Sequence, residues 1–434
     1  MLPNQAPSAR RALGVPRTRQ SGVATLIIVM SLFFVVSLVA AYASRNLIFE
    51  QRTSANQYRS TQAFEAAESG AEWALAMLNA GRLDAACVPT NNAVFSTLRE
   101  RLLIVNPDTG VYRPATWIDP GGANVNFRPT CVRDGTNWSC SCPTAGAPVL
   151  AAPAGDAAAP AFRLRVEGGG QPGTLRIVSI GCTSLNEDCL ERQRTVAGDA
   201  VASVIVSATL AQALPTSPPA TVTVRGDLTL GAATWHIANA DAATNGITVN
   251  TGGNFTGASA VLHSVPGTPG GNSFVAPDTS LSDLVGDRMF ISFFGVKPST
   301  FKRQPAVVQY TCGGGCSAGL RDIVDRNPGR PIWVIGDLTL DADVVIGAPN
   351  APVLLLVEGD VSLATAGVRV HGIVYTQAAT AAVSGAGVIE GAFIAQGHVN
   401  GASDLKLVFD AGAMTRLRQT FGSIVRLPGG WRDI

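Results

Sequence analysis

The feature that most constrains this chain is an uncharged stretch near its start, from Gln20 to Ser44. Within it, residues 23–43 (VATLIIVMSLFFVVSLVAAYA) are almost entirely apolar. A helix of this length crosses the ~30 Å hydrocarbon core of a bilayer. Four arginines, the first Arg10 and the last Arg19, and no acidic residue precede the stretch. The positive-inside rule then predicts a cytoplasmic basic leader over residues 1–22 and a translocated remainder.

The helical pattern continues beyond the apolar run. After residue 50 the chain has no Gly or Pro before Gly70, and Gly81 is a natural stop. Apolar side chains recur at helical spacing, namely Phe64, Ala67, Ala71, Ala74, Leu75 and Leu78. We predict one helical segment over residues 23–80, transmembrane over 23–43 and amphipathic beyond. A cleaved secretory signal has a shorter apolar region, of about 7–15 residues, whereas an uncleaved signal anchor stays open as an alternative.

Two groups of residues in this segment resemble PilX-type type IV pilus assembly proteins. Gln20–Ala24 ahead of the apolar run is similar to the processing region of pilin-like proteins, and Gln62–Gly70 (QAFEAAESG) resembles the PilX-type signature. The residues that carry this second resemblance, as an assembly helix, are Glu50, Arg52, Asn56, Arg59, Phe64, Glu65, Glu68 and Gly70. The resemblance implies that a prepilin peptidase cuts between Gly22 and Val23, where glycine allows an unwound backbone.

The resemblance also implies a function and partners. Most pilins carry a glutamate at the fifth position after the cut, but here that residue is Ile27, and the first is Val23 instead of Phe. A minor pilin fits this departure better than a self-polymerising subunit. The expected role is to support pilus biogenesis, adhesion or motility from the bacterial inner membrane, with a periplasmic domain that can enter the extracellular pilus. Expected partners are other pilins and minor pilins, the prepilin peptidase, the pilus assembly machinery and membrane lipid. A membrane-tethered adhesin or scaffold independent of a pilus is the alternative.

The charge balance bears on other partners and on the fold. The chain has 32 basic and 31 acidic side chains, a net charge of +1, so it lacks the overall positive field of a nucleic-acid-binding protein. Charged residues make up 15% of the sequence, and there are 46 glycines. This composition favours β-structure with many tight turns. From the balanced charge we predict no nucleic-acid partner.

The middle region, residues 81–215, is irregular in pattern. Residues 143–160 (PTAGAPVLAAPAGDAAAP) have the low-complexity composition of a linker. Phe162–Glu167 and Thr174–Gly181 alternate in polarity around a Gly-rich turn and predict a β-hairpin. We expect an α+β or β region here, after the long helix.

All eight cysteines follow the apolar stretch: Cys87, Cys131, Cys140, Cys142, Cys182, Cys189, Cys312 and Cys316. In an exported chain disulfides are the default expectation. Short loops favour Cys182–Cys189 and Cys312–Cys316, and the pairing of the other four stays open. The C-x2-C spacing typical of structural zinc is absent, so neither a metal nor another cofactor is predicted.

The C-terminal region, residues 216–434, contains a recurring motif. Gly-Asp followed by a short apolar strand occurs at 226–230, 336–340 and 359–363, and Gly-led apolar strands begin at 372 and 391. Spacing near twenty residues predicts the stacked coils of a β-helix or β-solenoid, with a β-sandwich as the alternative. Residues 231–335 are interpreted as an insertion, and Trp431 is expected to cover the last coil. The predicted class is α+β, mainly β.

Parallel β-helices often house carbohydrate-active enzymes, which need clustered carboxylates. The available carboxylates are Asp337, Asp341, Asp343, Glu358 and Asp360, and Asp after Gly is mainly a turn residue. No hydrolase, nucleotide-binding or metalloprotease motif is present. We therefore predict no enzymatic activity, and a β-helix carbohydrate-active enzyme is the less favoured alternative.

Overall fold

The structure is a computed structural model that describes residues 23–106, 109–154, 159–191, 198–257 and 260–433. The predicted leader at 1–22 lies outside the described residues. The chain forms two units, the first ending at Tyr58 and the second beginning at Arg59. The long helix is confirmed as α1 (Val23–Met77), and the α+β, mainly β, class is confirmed as well.

In the first unit, the side chains of α1 are exposed, and its most apolar window has a mean hydropathy of 2.8. By length and composition this part of the helix is able to cross a membrane. The hydroxyls of Ser31 and Ser44 donate to the carbonyls of Ile27 (2.8 Å) and Ala41 (3.0 Å), so these polar groups are satisfied within the helix itself.

The second unit holds the remaining elements. Those of the middle region are α2 (Leu98–Leu102), β1 (Leu103–Val105), β2 (Tyr112–Pro114), β3 (Thr116–Ile118), β4 (Asn124–Asn126), β5 (Thr130–Asp134), β6 (Asn137–Ser141), β7 (Ala161–Gly168), β8 (Thr174–Cys182), α3 (Glu187–Leu190) and β9 (Val201–Gln212). The strands that follow are β10 (Val222–Val224), β11 (Leu228–Thr229), β12 (Trp235–Ala238), β13 (Val249–Thr251), β14 (Phe255–Thr256), β15 (Val261–His263), β16 (Phe274–Val275), β17 (Val308–Thr311), β18 (Ile332–Ile335), β19 (Leu338–Leu340), β20 (Val345–Ile346), β21 (Val353–Val357), β22 (Val361–Leu363), β23 (Arg369–Thr376), β24 (Thr380–Gly385), β25 (Val388–Ala395), β26 (His398–Gly401), β27 (Leu405–Val408) and β28 (Gly422–Asp433). The helices among them are α4 (Thr279–Ser282), α5 (Arg288–Phe294), α6 (Pro298–Phe301), α7 (Ser317–Arg326) and α8 (Ala411–Thr420).

The middle region forms an antiparallel six-stranded sheet in the order β28-β9-β8-β7-β5-β6. The predicted hairpin is confirmed as β7 and β8, which pair from Ala161 opposite Cys182 to Gly168 opposite Leu175. One face of this sheet packs against the end of α1 in a core that contains Phe162. The sheet is therefore the platform on which the end of the helix lies.

The predicted solenoid is confirmed by a twelve-stranded and a six-stranded parallel sheet that enclose one core of Val, Leu and Ile. Successive coils align residue for residue, as where Leu338 pairs with Val361. The larger sheet is buried on its other face too, where Tyr375 contacts Phe290 and Phe294 from α5. Burial on both faces explains why β21 is an uninterrupted apolar run.

The Gly-Asp motifs join neighbouring coils. The carboxylate of Asp337 accepts the backbone N–H of Asp360 in the next coil at 2.9 Å. It lies so close to Gly359 that a Cβ there would be 2.0 Å from its Oδ1, so glycine at this position leaves room for the carboxylate to reach the amide. Asp360 in turn accepts the backbone N–H of Ala382 at 2.8 Å. The repeat thus marks coil-to-coil contacts as well as turns.

The order of the coils differs from the order of the chain. Along the stack, the strands of the larger sheet run β17, β18, β21, β23, β25, β10, β13 and β16. The chain enters in the middle at β10, proceeds to one end, and returns through α4–α6 to restart at β17. The interpretation of residues 231–335 as an insertion is wrong, because these residues supply further coils. Val222 of β10 pairs in parallel with Phe393 of β25. Strands that are far apart in the sequence are therefore neighbours in the stack.

The last strand leaves the coils. Residues 422–433 form β28, which pairs antiparallel with β9, and the amide of Ala213 donates to the carbonyl of Phe421 at 2.9 Å. The coils are therefore inserted between two adjacent strands of the antiparallel sheet. This corrects the prediction of a solenoid that continues to residue 434. The other domain boundaries stay predictions. Trp431 pairs with Val206 in this sheet, so its predicted place over the last coil is wrong.

Four disulfides hold the eight cysteines: Cys87–Cys142, Cys131–Cys140, Cys182–Cys189 and Cys312–Cys316. The first three lie in the region of the antiparallel sheet. The fourth lies at the end of the coil stack, beside β17 and α7. Three bonds thus constrain the region whose strands are joined by long irregular loops.

Candidate functional site

The candidate functional site is the outer part of α1, from Arg59 onward, together with the sheet beneath it. In this part a stripe of small residues is buried, made up of Ala63, Ala66, Ala67, Gly70, Ala71 and Ala74. Their spacing of three and four places them on one face of the helix. Small side chains let the helix backbone lie close to the sheet, which a stripe of Leu or Phe would prevent.

The helix and the sheet approach each other closely at two glycines, Gly70 on the helix and Gly181 on the sheet. A Cβ on Gly70 would lie 2.3 Å from Ser179 Oγ and 2.7 Å from Phe162 Cδ2. A Cβ on Gly181 of β8 would lie 2.1 Å from the carbonyl oxygen of Ala63. Distances below 3.0 Å do not occur for real Cβ atoms, so both positions require glycine for this packing. The last residue of the QAFEAAESG signature is therefore explained by a helix-on-sheet contact.

The return strand β28 is joined to the same stretch of helix. The side-chain amide of Asn79 donates to the carbonyl of Ile424 at 2.9 Å and accepts the amide of Ile424 at 2.8 Å. This pairing occupies both hydrogen-bonding groups of a buried strand residue, as a neighbouring strand would. Asn79 therefore binds the end of the helical segment to the strand that closes the sheet.

Two further contacts join α1 to the same strand. Arg426 forms an ion pair with Glu72. The ring of Trp431 packs edge-to-face on Phe64, with centroids 6.4 Å apart. Such aromatic pairs add about 0.5–1.5 kcal/mol beyond the area they bury. The two ends of the second unit, its first helical turns and its last strand, are thus held together.

The residues of the predicted assembly helix divide into two groups. Gly22 lies outside the described residues, so the predicted cleavage site is described only at Val23, the first residue of α1. Phe64 is half-buried and Gly70 is buried, and both pack within the chain. The exposed members are Val23, Ile27, Glu50, Arg52, Asn56, Arg59, Glu65 and Glu68. These exposed positions are the ones available to other molecules.

The carboxylates considered for catalysis have structural contacts. Asp341 accepts the hydroxyl of Ser317 at 2.8 Å, and this hydrogen bond lowers its pKa. Glu358 accepts the indole N–H of Trp333 at 2.7 Å and the ammonium of Lys302 at 2.8 Å. Asp337 and Asp360 accept hydrogen bonds from backbone amides of the next coil. These carboxylates therefore join one coil to the next, or the coils to the segments packed around them.

Sequence reasoning missed the partners that fix the helix on the sheet, namely Ser179, Gly181, Asn79, Arg426 and Trp431. All but Asn79 lie far from the signature in sequence, so no local periodicity connects them to it. One available signal was the pair Ile424 and Val425, because β-branched residues favour strands.

Comparison with known proteins finds a similarity over the helical segment just described. Residues 21–72 match the family model for the PilX N-terminal region. No curated protein matches the chain. Among solved structures, the competence-associated pilin ComZ from Thermus thermophilus is 11% identical, with 87% of this chain and 98% of that chain covered, at a TM-score of 0.22. Over residues 21–72, the chain is thus similar to the N-terminal region of PilX-type type IV pilus proteins.

Proposed function

We propose that this chain is a minor pilin-like pilus assembly protein that is anchored in the bacterial inner membrane and supports type IV pilus biogenesis, adhesion or motility. Its first residues after the leader enter the membrane, and the β-rich part lies in the periplasm or in the extracellular pilus. Its partners are other pilins and minor pilins, the prepilin peptidase, the assembly machinery and membrane lipid. Its action is packing, with no catalytic step.

The observation that carries this proposal is the match of residues 21–72 to the PilX N-terminal family on a helix that divides in character along its length. The part up to Tyr58 is exposed and begins with an apolar run. The part from Arg59 presents a small-residue face to the antiparallel sheet. A subunit of a helical fibre needs both properties, because one part of its helix must contact neighbours while the other holds its own globular region.

Two further observations support the finer points. Four disulfides favour an oxidising compartment such as the periplasm. Ile27 stands where most pilins carry glutamate, and its exposed side chain offers no charge to a neighbouring N-terminus. This favours a minor subunit, present in few copies, over a major subunit that repeats the same contact along the fibre.

The test is the mature N-terminus of the full chain, expressed in a pilus-bearing bacterium with and without its prepilin peptidase. Mass spectrometry is expected to find Val23, N-methylated, in the first strain and the complete leader in the second. A Gly22→Val variant is expected to keep its leader, because glycine adopts backbone conformations and allows a close approach to the protease that a side chain at this position would prevent. Gly14→Val, within the leader but away from the cut, is the matched control and is expected to mature normally.

Other outcomes would contradict the proposal. A mature chain that starts beyond Ala43 would be the product of secretory signal cleavage and would have no membrane helix. A chain that keeps its leader in both strains would support the membrane-tethered scaffold instead. If sheared pili contain the mature chain, the chain is part of the fibre. If a strain that lacks the chain makes no pili, the result supports a role in biogenesis.

A further inference from the structure

A cavity of about 210 Å³ lies where the end of the helical segment, α2, two loops of the coil domain and α8 meet. Its apolar walls include Leu78, Leu103 and Phe421. Three arginines, Arg99, Arg330 and Arg416, also line it. Nothing in the pilin-like function proposed above accounts for three cations around an apolar cavity.

Arg99 is held in place by neutral oxygen atoms. It donates to the carbonyls of Leu78 (3.2 Å), Thr420 (3.0 Å) and Gly422 (3.0 Å), and to the side-chain oxygen of Asn79 (3.4 Å). These bonds fix the orientation of the guanidinium but supply no negative charge. Burial accordingly lowers the pKa of Arg99.

Arg330 is held in the same way. It donates to the carbonyls of Ala306 (2.9 Å) and Pro305 (3.3 Å) and to the side-chain oxygen of Asn327 (2.7 Å). Burial and the neighbouring positive charge of Arg99 lower the pKa of Arg330 to about 10. Two partly buried cations thus repel each other across one cavity.

The positive charge of the cavity is only weakly offset. Across the described parts of the chain, the ion pairs include neither Arg99, Arg330 nor Arg416. Among the lining residues Glu100 is the one carboxylate; its charge acts on Arg99, and it also accepts the amide (2.8 Å) and the hydroxyl (3.0 Å) of Thr97 as part of the cap of α2, so one negative charge stands against three positive ones. Burying a charge without a partner is costly, and an anion bound between the arginines would offset that cost.

We propose that this cavity binds a small carboxylate with an apolar body. A guanidinium presents its N–H donors in a planar fork that matches a carboxylate. Arg99 and Arg330 already donate to protein oxygens from Nε, Nη1 and Nη2, so they add positive charge and their remaining N–H groups. Arg416 donates to the carbonyl of Pro349 from Nη1 and offers the other donors of its fork. The apolar walls suit a hydrocarbon body and disfavour a strongly hydrated phosphate. The volume fits such a ligand, since an apolar cavity of about 150 Å³ holds benzene. Two sources offer this chemistry, a free aromatic or aliphatic acid and the carboxyl terminus of a peptide chain with an apolar last residue.

The test measures binding of benzoate to the full chain in detergent micelles, by calorimetry and by the rise in Tm, against sodium chloride at equal ionic strength. We expect benzoate to bind and Arg330→Gln to weaken it about tenfold, through loss of a charged hydrogen bond. Arg416→Gln is the second variant, because Arg416 is exposed and its contact is with the carbonyl of Pro349, so the fold does not depend on it. Arg303→Gln, exposed and outside the cavity, is the control and is expected to bind as the original chain does.

A pair of dipeptides separates the two sources. If the natural ligand is a chain terminus, Gly-Phe binds at least as tightly as benzoate and loses binding when its carboxyl group is amidated. If it is a free acid, Gly-Phe binds more weakly than benzoate. Equal benzoate affinity in Arg330→Gln, Arg416→Gln and the original chain would overturn the proposal, as would no binding. Tighter binding of inorganic phosphate than of benzoate would overturn the choice of carboxylate.

Discussion

The antiparallel sheet and the coil domain solve the same problem, the burial of apolar strand faces, in different ways. The sheet is covered on one face by a separate element, α1, whose small residues let it lie close to Gly181. The coils cover each other, because each coil shares its inward row of Val, Leu and Ile with the next. The sheet therefore depends on one particular contact, whereas the coils depend on many equivalent ones.

The disulfides follow this difference. Three of the four lie in the region of the sheet, where long irregular loops join the strands, and the fourth is at one end of the coil stack. A stack of coils stabilises itself through its repeat, since every coil has two neighbours. A helix-covered sheet with few strands has less repetition, and cross-links make up part of the difference. The two regions are therefore expected to respond differently to the same kind of change.

The largest expected difference concerns the cross-links. Replacing Cys87 and Cys142 with serine opens a loop of 55 residues' separation and is expected to cost about 4 kcal/mol by loop entropy. The same change at Cys312 and Cys316, four residues apart, is expected to cost about 2 kcal/mol. Urea unfolding of the full chain in detergent, with both variants side by side, measures the two costs. Equal costs would contradict the view that the sheet region depends more on its cross-links.

The next effect tests the contact between helix and sheet. Gly70→Val places side-chain atoms against Ser179 and Phe162, and overpacking of this kind costs about 1–3 kcal/mol or more. Glu68→Val introduces the same side chain at an exposed position of the same helix and is the matched control. Its expected cost is about 0.5 kcal/mol, from helix propensity alone. Thermal unfolding measures both, and similar losses would show that the helix does not approach the sheet this closely.

A smaller effect is expected for the contacts between coils. Asp337→Ala leaves the amide of Asp360 without its acceptor and is expected to cost about 1 kcal/mol. Asp337→Asn keeps an oxygen at the same position and should cost less. The same unfolding assay distinguishes them. If asparagine proved as harmful as alanine, the bond between coils would not be the reason for the Gly-Asp repeat.

The smallest effect is the dependence of the sheet on pH. The hydrogen bond from Arg163 holds the pKa of Glu187 below its usual value of 4.5. Because the folded pKa is the lower one, this contribution is complete above pH 4.5 and is lost as the pH falls through the folded value. Glu187 is 72% exposed, so the change is small. Glu187→Gln is expected to have a lower free energy of unfolding than the original chain at pH 6 and the same one in acid, as measured by urea unfolding at both pH values. Asp188→Asn is the control, and its difference from the original chain should show no such convergence.

Much of the fold followed from local patterns. The apolar run and the helical spacing after it predicted α1, alternation predicted the pairing of β7 with β8, and the Gly-Asp repeat predicted parallel coils. The site was predictable only in part. The signature identified Phe64 and Gly70, but their contacts with Trp431 and Phe162 join residues that are distant in the chain. The order of the coils was missed for the same reason, because the sequence of a strand does not specify which other strand it pairs with.

The sequence by itself determined which segments are helix, which are strand, and which helix is apolar enough to enter a membrane, because these properties depend on side chains a few residues apart. The tertiary structure alone decided that the coils interrupt the antiparallel sheet, that β28 returns to β9, and that Asn79 pairs with Ile424. It also decided that Arg99 and Arg330 face one cavity. Such contacts depend on the shapes and charges of residues that are hundreds of positions apart in the sequence. Local periodicity cannot predict contacts over that separation.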